Sequence, residues 1–548
     1  MAVTRRSEIK RLLGAAAAIA RSGMLRPPGP RAAARLARAL WTFGPTAGFL
    51  IAAAAARWPD RIAIVDDEGE ISYRELVERG TRLAESVRQT RPGLREHKAG
   101  CVGVLCRNGR GFVISLIASC LLGREVVLIN YDLTAKQLGP LLARHNVGLL
   151  LHDEEFDEVL DAIAHPCPRA VPGDTAAAAR GPGAPSRRKP ATGQVGITLL
   201  TSGTTGTPKG VPRAVDPIPG LFTVASAIEI LRLRAGQVAA VTSPLFHGLG
   251  FASGLGVLAL GDTMVVHRRY TADQLYQDIE ERRIEVVMTV PTMIGRLVEA
   301  ARAAERARDT SSLQLVLSGA APLPASTTRD FIAEFGPVVV NGYGSTEVGV
   351  ISIAGKTDLL QEPGTVGPPV IGARVKILRP DRTQAAVGEP GTIFVKGTMA
   401  YAGYTPDADV QDKESVDGYV STGDLGHVDE AGLLYVDGRE DDMIVSGGEN
   451  IFPGEVEDAL LAHPDVVDAA VIGVPDEQFG QALRAFLVLR GREGQIDPEA
   501  LKAFLREHVE RYKIPKQFAV LPELPRNPSG KVVRTKLATL DEPGHNLD

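Results

Sequence analysis

The chain is poor in cysteine, and the few cysteines it has show no pairing pattern. Its 548 residues include four, Cys101, Cys106, Cys120 and Cys167. No two of them form a CxxC pair, and no histidines cluster beside them with metal-ligand spacing. We therefore expect neither a disulfide framework nor a zinc site, and reduced thiols in a cytoplasmic setting fit the pattern.

Long apolar runs and a strong excess of one charge are also missing. The apolar stretches Ala47–Ala56 and Phe112–Leu122 are shorter than the roughly 20 residues that a membrane span needs. The net charge of −5 leaves no global footprint for nucleic acid, so we expect no nucleic-acid partner. The 44% hydrophobic content supports a large buried core, and the length predicts about three or four domain-sized units.

The first forty residues depart from this balance. They carry nine lysines and arginines against one acid, Glu8. Because the apolar stretch Leu12–Ala20 follows a basic start, a signal peptide is one interpretation. A solvated or partly docked extension is a second, and an amphipathic arm that contacts anionic lipid at the inner membrane face is a third. We treat residues 1–48 as a separate basic extension.

Beyond this extension, short apolar strands alternate with helical patterns. The sequence predicts strands at Ile62–Val65, Val102–Leu105 and Val126–Ile129, with helices at Tyr73–Arg88 and Phe112–Leu122 between them. Such alternation is typical of an α/β fold, in which helices cover a largely parallel sheet.

The run Leu199–Val211 predicts a phosphate-binding loop. It combines three glycines, five hydroxyl side chains and one lysine between two apolar stretches. Glycines let the backbone approach an anion closely, and successive N–H groups, hydroxyls and an ammonium donate to it. The run differs from the strand–GxxxxGK[ST]–helix loop, because Val211-Pro212 follows where a helix should begin.

A second motif places a tight glycine turn at the end of an apolar strand. It spans Val338–Glu347 and reads VVVNGYGSTE. Tyr343 can stack on a base, Thr346 can bond to a phosphate oxygen, and Glu347 can hold Mg²⁺, which needs only one or two carboxylates beside phosphates and water.

Two further motifs suit other parts of a nucleotide. A small-residue turn at Gly319-Ala320 ends a predicted strand, and a flat ring can lie against such a backbone. Asp424 can accept from both hydroxyls of a ribose, and Arg439 lies across a predicted hairpin from it. Arg439 can donate to ribose or phosphate, although a plain ion pair with an acid is also open to it.

In this order, the motifs from about residue 50 to residue 540 resemble those of the AMP-forming adenylating enzymes, the superfamily that includes acyl-CoA synthetases. The resemblance implies an α/β fold with a large N-terminal adenylate-forming domain of several subdomains, here residues 49–440. It further implies a small mobile C-terminal α/β lid domain, here residues 441–548. ATP, Mg²⁺ and coenzyme A are the expected cofactors.

The resemblance also assigns residues. It implies that Lys531 reaches the substrate carboxylate and α-phosphate during adenylation, that His247 borders that carboxylate, and that Asp441 is the interdomain hinge. Lys531, Glu347, Thr346 and His247 form the expected catalytic set, with Glu347 as the metal ligand. The expected cofactor-binding residues are Thr201, Ser202, Gly203, Thr204, Thr205, Gly206, Lys209, Gly319, Ala320, Asn341, Gly342, Tyr343, Thr346, Asp424, Tyr435, Arg439, Gly447 and Gly448.

The segment around His247 bears on the acid substrate. Phe246–Leu260 is rich in glycine, leucine and alanine and has no acid to pair with an ammonium, which disfavours amino acids. We expect a carboxylic acid that becomes an acyl-AMP with release of pyrophosphate and then an acyl-CoA, and a medium- or long-chain fatty acid is our first choice. An aryl acid, a hydroxy acid, a carrier-protein acceptor and a non-catalytic nucleotide-binding scaffold are the alternatives. The sequence leaves the oligomeric state open.

Overall fold

The fold is taken from a computed structural model of the chain. It describes residues 22–23, 28–90, 100–163, 165, 167–173, 196–201, 209–213, 227–345, 347–397, 413–446, 449–476, 478–491, 497–528 and 530–540. These residues fall into two compact units. The first comprises the described residues within Met1–Thr289 and Arg308–Val316, and the second comprises those within Val290–Ala307, Leu317–Gly397 and Lys413–Asp548. The division predicted between residues 440 and 441 stays a prediction.

Helices and strands alternate along much of the chain, as the sequence predicts. The helices are α1 (Pro30–Phe43), α2 (Ala47–Arg57), α3 (Tyr73–Thr90), α4 (Arg110–Leu122), α5 (Ala135–Arg144), α6 (Asp157–Asp161), α7 (Gly248–Ala259), α8 (Ala272–Glu281), α9 (Pro291–Ala303), α10 (Ala325–Phe335), α11 (Lys356–Gln361), α12 (Pro453–Leu461), α13 (Pro498–Leu505) and α14 (Arg534–Thr539). Short 3₁₀ helices cover Glu154–Phe156, Glu440–Asp442 and Arg511–Lys513.

In chain order, the strands are β1 (Ile62–Asp66), β2 (Gly69–Ser72), β3 (Cys101–Leu105), β4 (Val126–Leu128), β5 (Val147–His152), β6 (Arg169–Ala170), β7 (Ile197–Thr201), β8 (Lys209–Arg213), β9 (Val238–Val241), β10 (Thr263–Val265), β11 (Val286–Met288), β12 (Leu315–Gly319), β13 (Val339–Ser345), β14 (Gly349–Ala354), β15 (Arg374–Leu378), β16 (Gly391–Lys396), β17 (Ser415–Val416), β18 (Tyr419–Val428), β19 (Leu434–Arg439), β20 (Ile444–Ser446), β21 (Glu449–Ile451), β22 (Val466–Asp476), β23 (Gly480–Leu489) and β24 (Gln517–Val520). The longest strands, β18, β22 and β23, lie in the second unit.

Two mainly parallel strand sets form the framework of the first unit. One runs β11-β9-β10-β1-β2 with β2 antiparallel, and the other runs β6-β5-β3-β4-β7-β8 with β8 antiparallel. Helix α4 is apolar on all sides, so it has no face to turn to water, and it is buried from Phe112 to Leu121. It ends at Gly123, whose φ of 68° is the left-handed conformation that glycine adopts without steric cost.

The C-terminal part of the second unit contains the small α/β layer that the sequence predicts. Strands β22, β23 and β24 form a sheet with apolar residues on both faces. Ala469 and Val471 pack with α12 and α13, while the alternate residues Ala470 and Ile472 pack on the opposite face near α14. Strands β22 and β23 are long, because their backbone pairing continues as far as Asp476 and Gly480.

Membrane-spanning helices were expected to be absent. Across the described ranges, no helix is both long enough and apolar enough to cross a bilayer. Most of the N-terminal extension, residues 1–21 and 24–27, lies outside those ranges.

Candidate active site

The predicted phosphate loop connects two paired strands of the first unit. Strands β7 and β8 are antiparallel, and Thr201 lies directly opposite Lys209. The segment after the loop is a strand, which agrees with the sequence argument that this loop is not followed by a helix. Ser202, Gly203, Thr204, Thr205 and Gly206 lie outside the described residues, as do the side chains of Thr201 and Lys209.

The loop that carries His247 is held by a residue that the sequence analysis missed. The side-chain amide of Asn108 donates to the carbonyl of Ser243 at 3.1 Å, and its oxygen accepts from the N–H of Leu245 at 2.8 Å. Asn108 is only 6% exposed, so both bonds are shielded from water. This clamp fixes the turn that leads to the half-buried His247, the residue that immediately precedes α7. The only feature of the sequence that points to this clamp is an Asn-Gly pair after an apolar strand.

The small-residue turn predicted for a flat ring has an unusual backbone. Strand β12 ends at Gly319, and Ala320 follows with a φ of 68°. A residue with a Cβ in this left-handed region costs roughly 1–2 kcal/mol. Strained backbone of this kind clusters at ligand sites, so the observation favours a functional turn over an ordinary one.

The second glycine motif forms an antiparallel hairpin of β13 and β14. A Cβ on Gly344 would lie 2.3 Å from the carbonyl oxygen of Gly349, so this position accepts only glycine. The hairpin turn follows Ser345 and carries the half-buried Glu347. Asn341 is buried in β13, whereas Thr346 lies outside the described residues.

Asp424 is the centre of a polar cluster in the second unit. It lies on β18 directly opposite Arg439 on β19, so the hairpin that the sequence predicts is present. Its carboxylate accepts from the hydroxyl of Tyr343 at 2.6 Å and from Nη1 of Arg439 at 3.3 Å. Nη2 of Arg439 donates to Asp441, the predicted hinge residue, at 3.2 Å. Arg439 therefore does pair with acids.

The electrostatics of this cluster follow from burial. Asp424 is 8% exposed, and burial raises the pKa of its carboxyl, although the bond from Tyr343 and the charge of Arg439 oppose this. Burial and the charge of Asp424 raise the pKa of Tyr343 well above its ordinary value. Tyr343 is thus a hydrogen-bond donor to a buried carboxylate, a role in addition to the stacking that the sequence suggests.

Lys531 lies on a tightly bonded turn. Its N–H donates to the side chain of Asn527 at 2.9 Å, and Arg526 donates to the carbonyl of Gly530 at 2.6 Å. Gly530 has a φ of 81°, and a Cβ there would lie 2.9 Å from the hydroxyl oxygen of Thr292. Glycine is therefore required for this turn to pack against the start of α9.

Lys531 interacts electrostatically with the Asp424 cluster, because its charge lowers the pKa of Asp424. Lys531 is an exposed residue, yet the neighbouring protein desolvates its ammonium, and this desolvation, followed by the charge of Arg439, lowers its pKa. The carboxylates of Asp424, Asp442 and Glu347 oppose this shift.

Within the second unit, hydrogen bonds join three of the predicted residues, Tyr343, Asp424 and Arg439. The charges of Asp424, Arg439 and Glu347 in turn act on the pKa of Lys531. Tyr435 lies farther along β19, where its ring stacks on His427 at 4.8 Å. Gly447 and Gly448 lie outside the described residues.

A buried carboxylate, a half-buried glutamate and a lysine on a fixed turn suit ATP with Mg²⁺, the substrate and metal of an adenylating enzyme. The family model for AMP-binding enzymes matches residues 51–405, and that for the AMP-binding enzyme C-terminal domain matches residues 455–531. The chain belongs to the AMP-binding enzyme family.

Its curated relatives include acid–CoA ligases. The chain is similar to 2-succinylbenzoate–CoA ligase from Bacillus licheniformis, with 32% identity over 87% of this chain and 97% of that protein. It is also similar to feruloyl-CoA synthase from Amycolatopsis, with 31% identity over 87% of this chain and 95% of that protein.

Among solved structures, o-succinylbenzoate CoA synthetase from Bacillus subtilis with its acyl-adenylate has a TM-score of 0.75 and 28% identity, covering 89% of this chain and 97% of that one. The same enzyme with ATP and magnesium also has a TM-score of 0.75, with 29% identity over 89% of this chain and 98% of that one.

These findings settle the reaction class. The chain is an AMP-forming acid–CoA ligase that works through an acyl-adenylate and uses ATP, Mg²⁺ and coenzyme A. The non-catalytic scaffold is thereby set aside. The fatty-acid substrate that the sequence analysis preferred has no support from these relatives, and its alternative, an aryl acid, fits them better.

Proposed function

We propose that this enzyme is an aryl acid–CoA ligase, which converts an aromatic carboxylic acid to its acyl-adenylate and then to its CoA thioester. The observation that carries the proposal is the similarity, over 87% of the chain, to ligases named for 2-succinylbenzoate and ferulate. The sequence analysis preferred a fatty acid because Phe246–Leu260 is apolar. An apolar lining serves an aromatic ring equally well, so that pattern did not discriminate.

The chain's own residues are compatible with an aromatic substrate beside His247. Phe246 is 6% exposed, and its ring meets the ring of Tyr131 edge to face, with centroids 4.9 Å apart at 88°. Aromatic rings prefer such edge-to-face contacts, so a substrate ring can extend the pair. Arg268 donates to Glu155 at 2.8 Å, so its guanidinium is already engaged by an acid of the protein.

We assign the nucleotide to the Asp424 cluster. Asp424 binds the ribose hydroxyls, Arg439 binds ribose or phosphate, and Lys531 stabilises charge at the α-phosphate and the substrate carboxylate. Glu347 holds Mg²⁺, which neutralises phosphate charge when it is bound.

The remaining residue roles are proposed as the sequence analysis assigns them. The loop from Thr201 to Lys209 holds the phosphates, the Gly319-Ala320 turn lies against adenine, and Gly447-Gly448 line the path of the CoA thiol. Asp441 is the hinge between domains at residues 49–440 and 441–548.

The test is a pyrophosphate-release assay with a panel of acids. Benzoate, hydroxycinnamates and 2-succinylbenzoate are compared with straight-chain fatty acids, each with and without coenzyme A. We expect an aryl acid to give the highest kcat/KM, with AMP formation that depends on coenzyme A. A fatty acid that exceeds every aryl acid would overturn the proposal.

A variant links the result to the aromatic pair. Phe246→Leu removes one ring of the pair and with it an aromatic contact to the substrate ring. Such a contact contributes about 0.5–1.5 kcal/mol beyond burial. We expect kcat/KM for the aryl acid to fall about 2- to 10-fold, with little change for a residual fatty-acid activity. Phe335→Leu, the same change in α10, is the matched control. Equal losses for both acid classes would contradict the role of the ring.

A further inference from the structure

Helix α1 presents an apolar and a basic stripe to the outside. Its inner side carries the buried residues Ala39 and Phe43. At about 100° per residue, its remaining surface separates into two adjacent stripes. The apolar stripe holds Ala33, Ala37, Leu40 and Trp41, and the basic stripe holds Arg31, Arg35 and Arg38, all of them exposed.

The apolar stripe is unusual for a surface helix. Leu40 is 51% exposed and Trp41 is 64% exposed, and Leu50 on the next helix is 39% exposed. Single exposed apolar residues need no explanation, but adjacent large ones on one stripe indicate an interaction surface. The helix is anchored, because Nε of Arg35 donates to the carbonyl of Ala56 on α2 at 2.8 Å.

We propose that this face of α1 binds the surface of an anionic lipid bilayer. A helix in the plane of the membrane interface has apolar residues on one side and arginines beside them, and tryptophan favours the interface because its ring is apolar and its N–H is polar. Charge favours an anionic surface, since the sequence before the helix adds six basic residues against one acid. The chain then lies on the membrane without crossing it.

Tryptophan fluorescence reports on this surface directly. The chain has two tryptophans, so Trp58→Phe leaves Trp41 as the single emitter in the full chain. We expect vesicles of phosphatidylcholine with phosphatidylglycerol to shift Trp41 emission to the blue and brominated lipids to quench it. Vesicles of phosphatidylcholine alone should have a much smaller effect. Co-sedimentation of the unaltered chain gives a second readout that does not depend on Trp58→Phe.

Matched variants separate charge from apolar contact. One basic residue near an anionic surface changes binding about fivefold, so Arg31→Gln with Arg38→Gln should weaken it about 25-fold. Arg74→Gln with Arg283→Gln removes the same charge elsewhere in this unit and should have little effect. Trp41→Ser should weaken binding at least about tenfold, whereas Leu360→Ser, at a residue 53% exposed in the second unit, should not. All variants should retain the ligase activity of the parent.

Three outcomes overturn the proposal. Equal binding to neutral and anionic vesicles removes the role of charge, and full binding by the Arg31/Arg38 variant does the same. The third outcome is Trp41 emission that is already blue and protected from a water-soluble quencher when no lipid is present. If this protection depends on protein concentration, a second copy covers the face. If it depends on the presence of residues 1–21, the chain's own arm covers it.

Discussion

The hydrogen bond from Tyr343 to Asp424 allows a quantitative prediction about nucleotide binding. Tyr343→Phe removes a 2.6 Å donor from a carboxylate that is 8% exposed and keeps the ring. A hydrogen bond to a charged group contributes about 1.5–3 kcal/mol. If Asp424 binds ribose, kcat/KM for ATP should therefore fall about 10- to 150-fold.

The same substitution should change the pH profile. Burial already raises the pKa of Asp424, and the Tyr343 bond holds it down, so its loss raises that pKa further. Asp424 must be ionised to accept from both ribose hydroxyls. The acid limb of kcat/KM for ATP should therefore move to higher pH in Tyr343→Phe.

The assay is pyrophosphate release at saturating acid with ATP varied over a range of pH. Tyr419→Phe removes a hydroxyl from the same strand as Asp424 and is the matched control. Tyr343→Phe combined with Asp424→Asn should lose no more than Asp424→Asn alone, because the tyrosine acts through that carboxylate. Wild-type kcat/KM with an unshifted pH profile, or additive losses in the double variant, would refute the reasoning.

Three further predictions concern the lysine turn, the hinge and a buried histidine. Lys531→Ala should lower acyl-adenylate formation about 10²–10³-fold but spare thioester formation from preformed adenylate, with Lys536→Ala as control; loss of both steps contradicts this. Asp441→Pro, by fixing φ, should slow the thioester step more than adenylation in single-turnover assays, and the reverse order argues against the hinge. The carboxylate of Asp278, and then that of Asp67, raises the pKa of His267 in the folded state. The stabilisation that protonated His267 provides is therefore complete below about pH 6.5, its pKa in the unfolded chain, and is lost as pH rises through the higher pKa of the folded state. His267→Gln should flatten this part of the melting-temperature profile, and an unchanged slope is the contrary result.

Much of the fold and the reaction class could be predicted from residue order. The run Leu199–Val211 correctly indicated that no helix follows it, because its spacing of glycine, hydroxyl and Val-Pro is a local property of the backbone, and its phosphate-binding role stays a prediction. The Asp424–Arg439 hairpin and the buried helix α4 were predictable for the same reason, since strand pairing and all-round apolarity are visible in neighbouring residues.

The class of acid could not be narrowed in this way. An apolar stretch such as Phe246–Leu260 looks the same whether it lines a site for an alkyl chain or for a ring. The edge-to-face pair of Phe246 with Tyr131 joins residues more than a hundred positions apart, so no local pattern records it.

The sequence by itself determined the fold class, the order of the motifs and the chemistry that each can perform, because short-range geometry depends on adjacent residues. Only the tertiary structure decided that Asn108 clamps the His247 loop, that Tyr343 donates to Asp424, and that Leu40 and Trp41 remain outside the core. Each of these depends on which distant side chains share a buried or an exposed environment, and burial sets both the strength of a hydrogen bond and the pKa of a carboxyl.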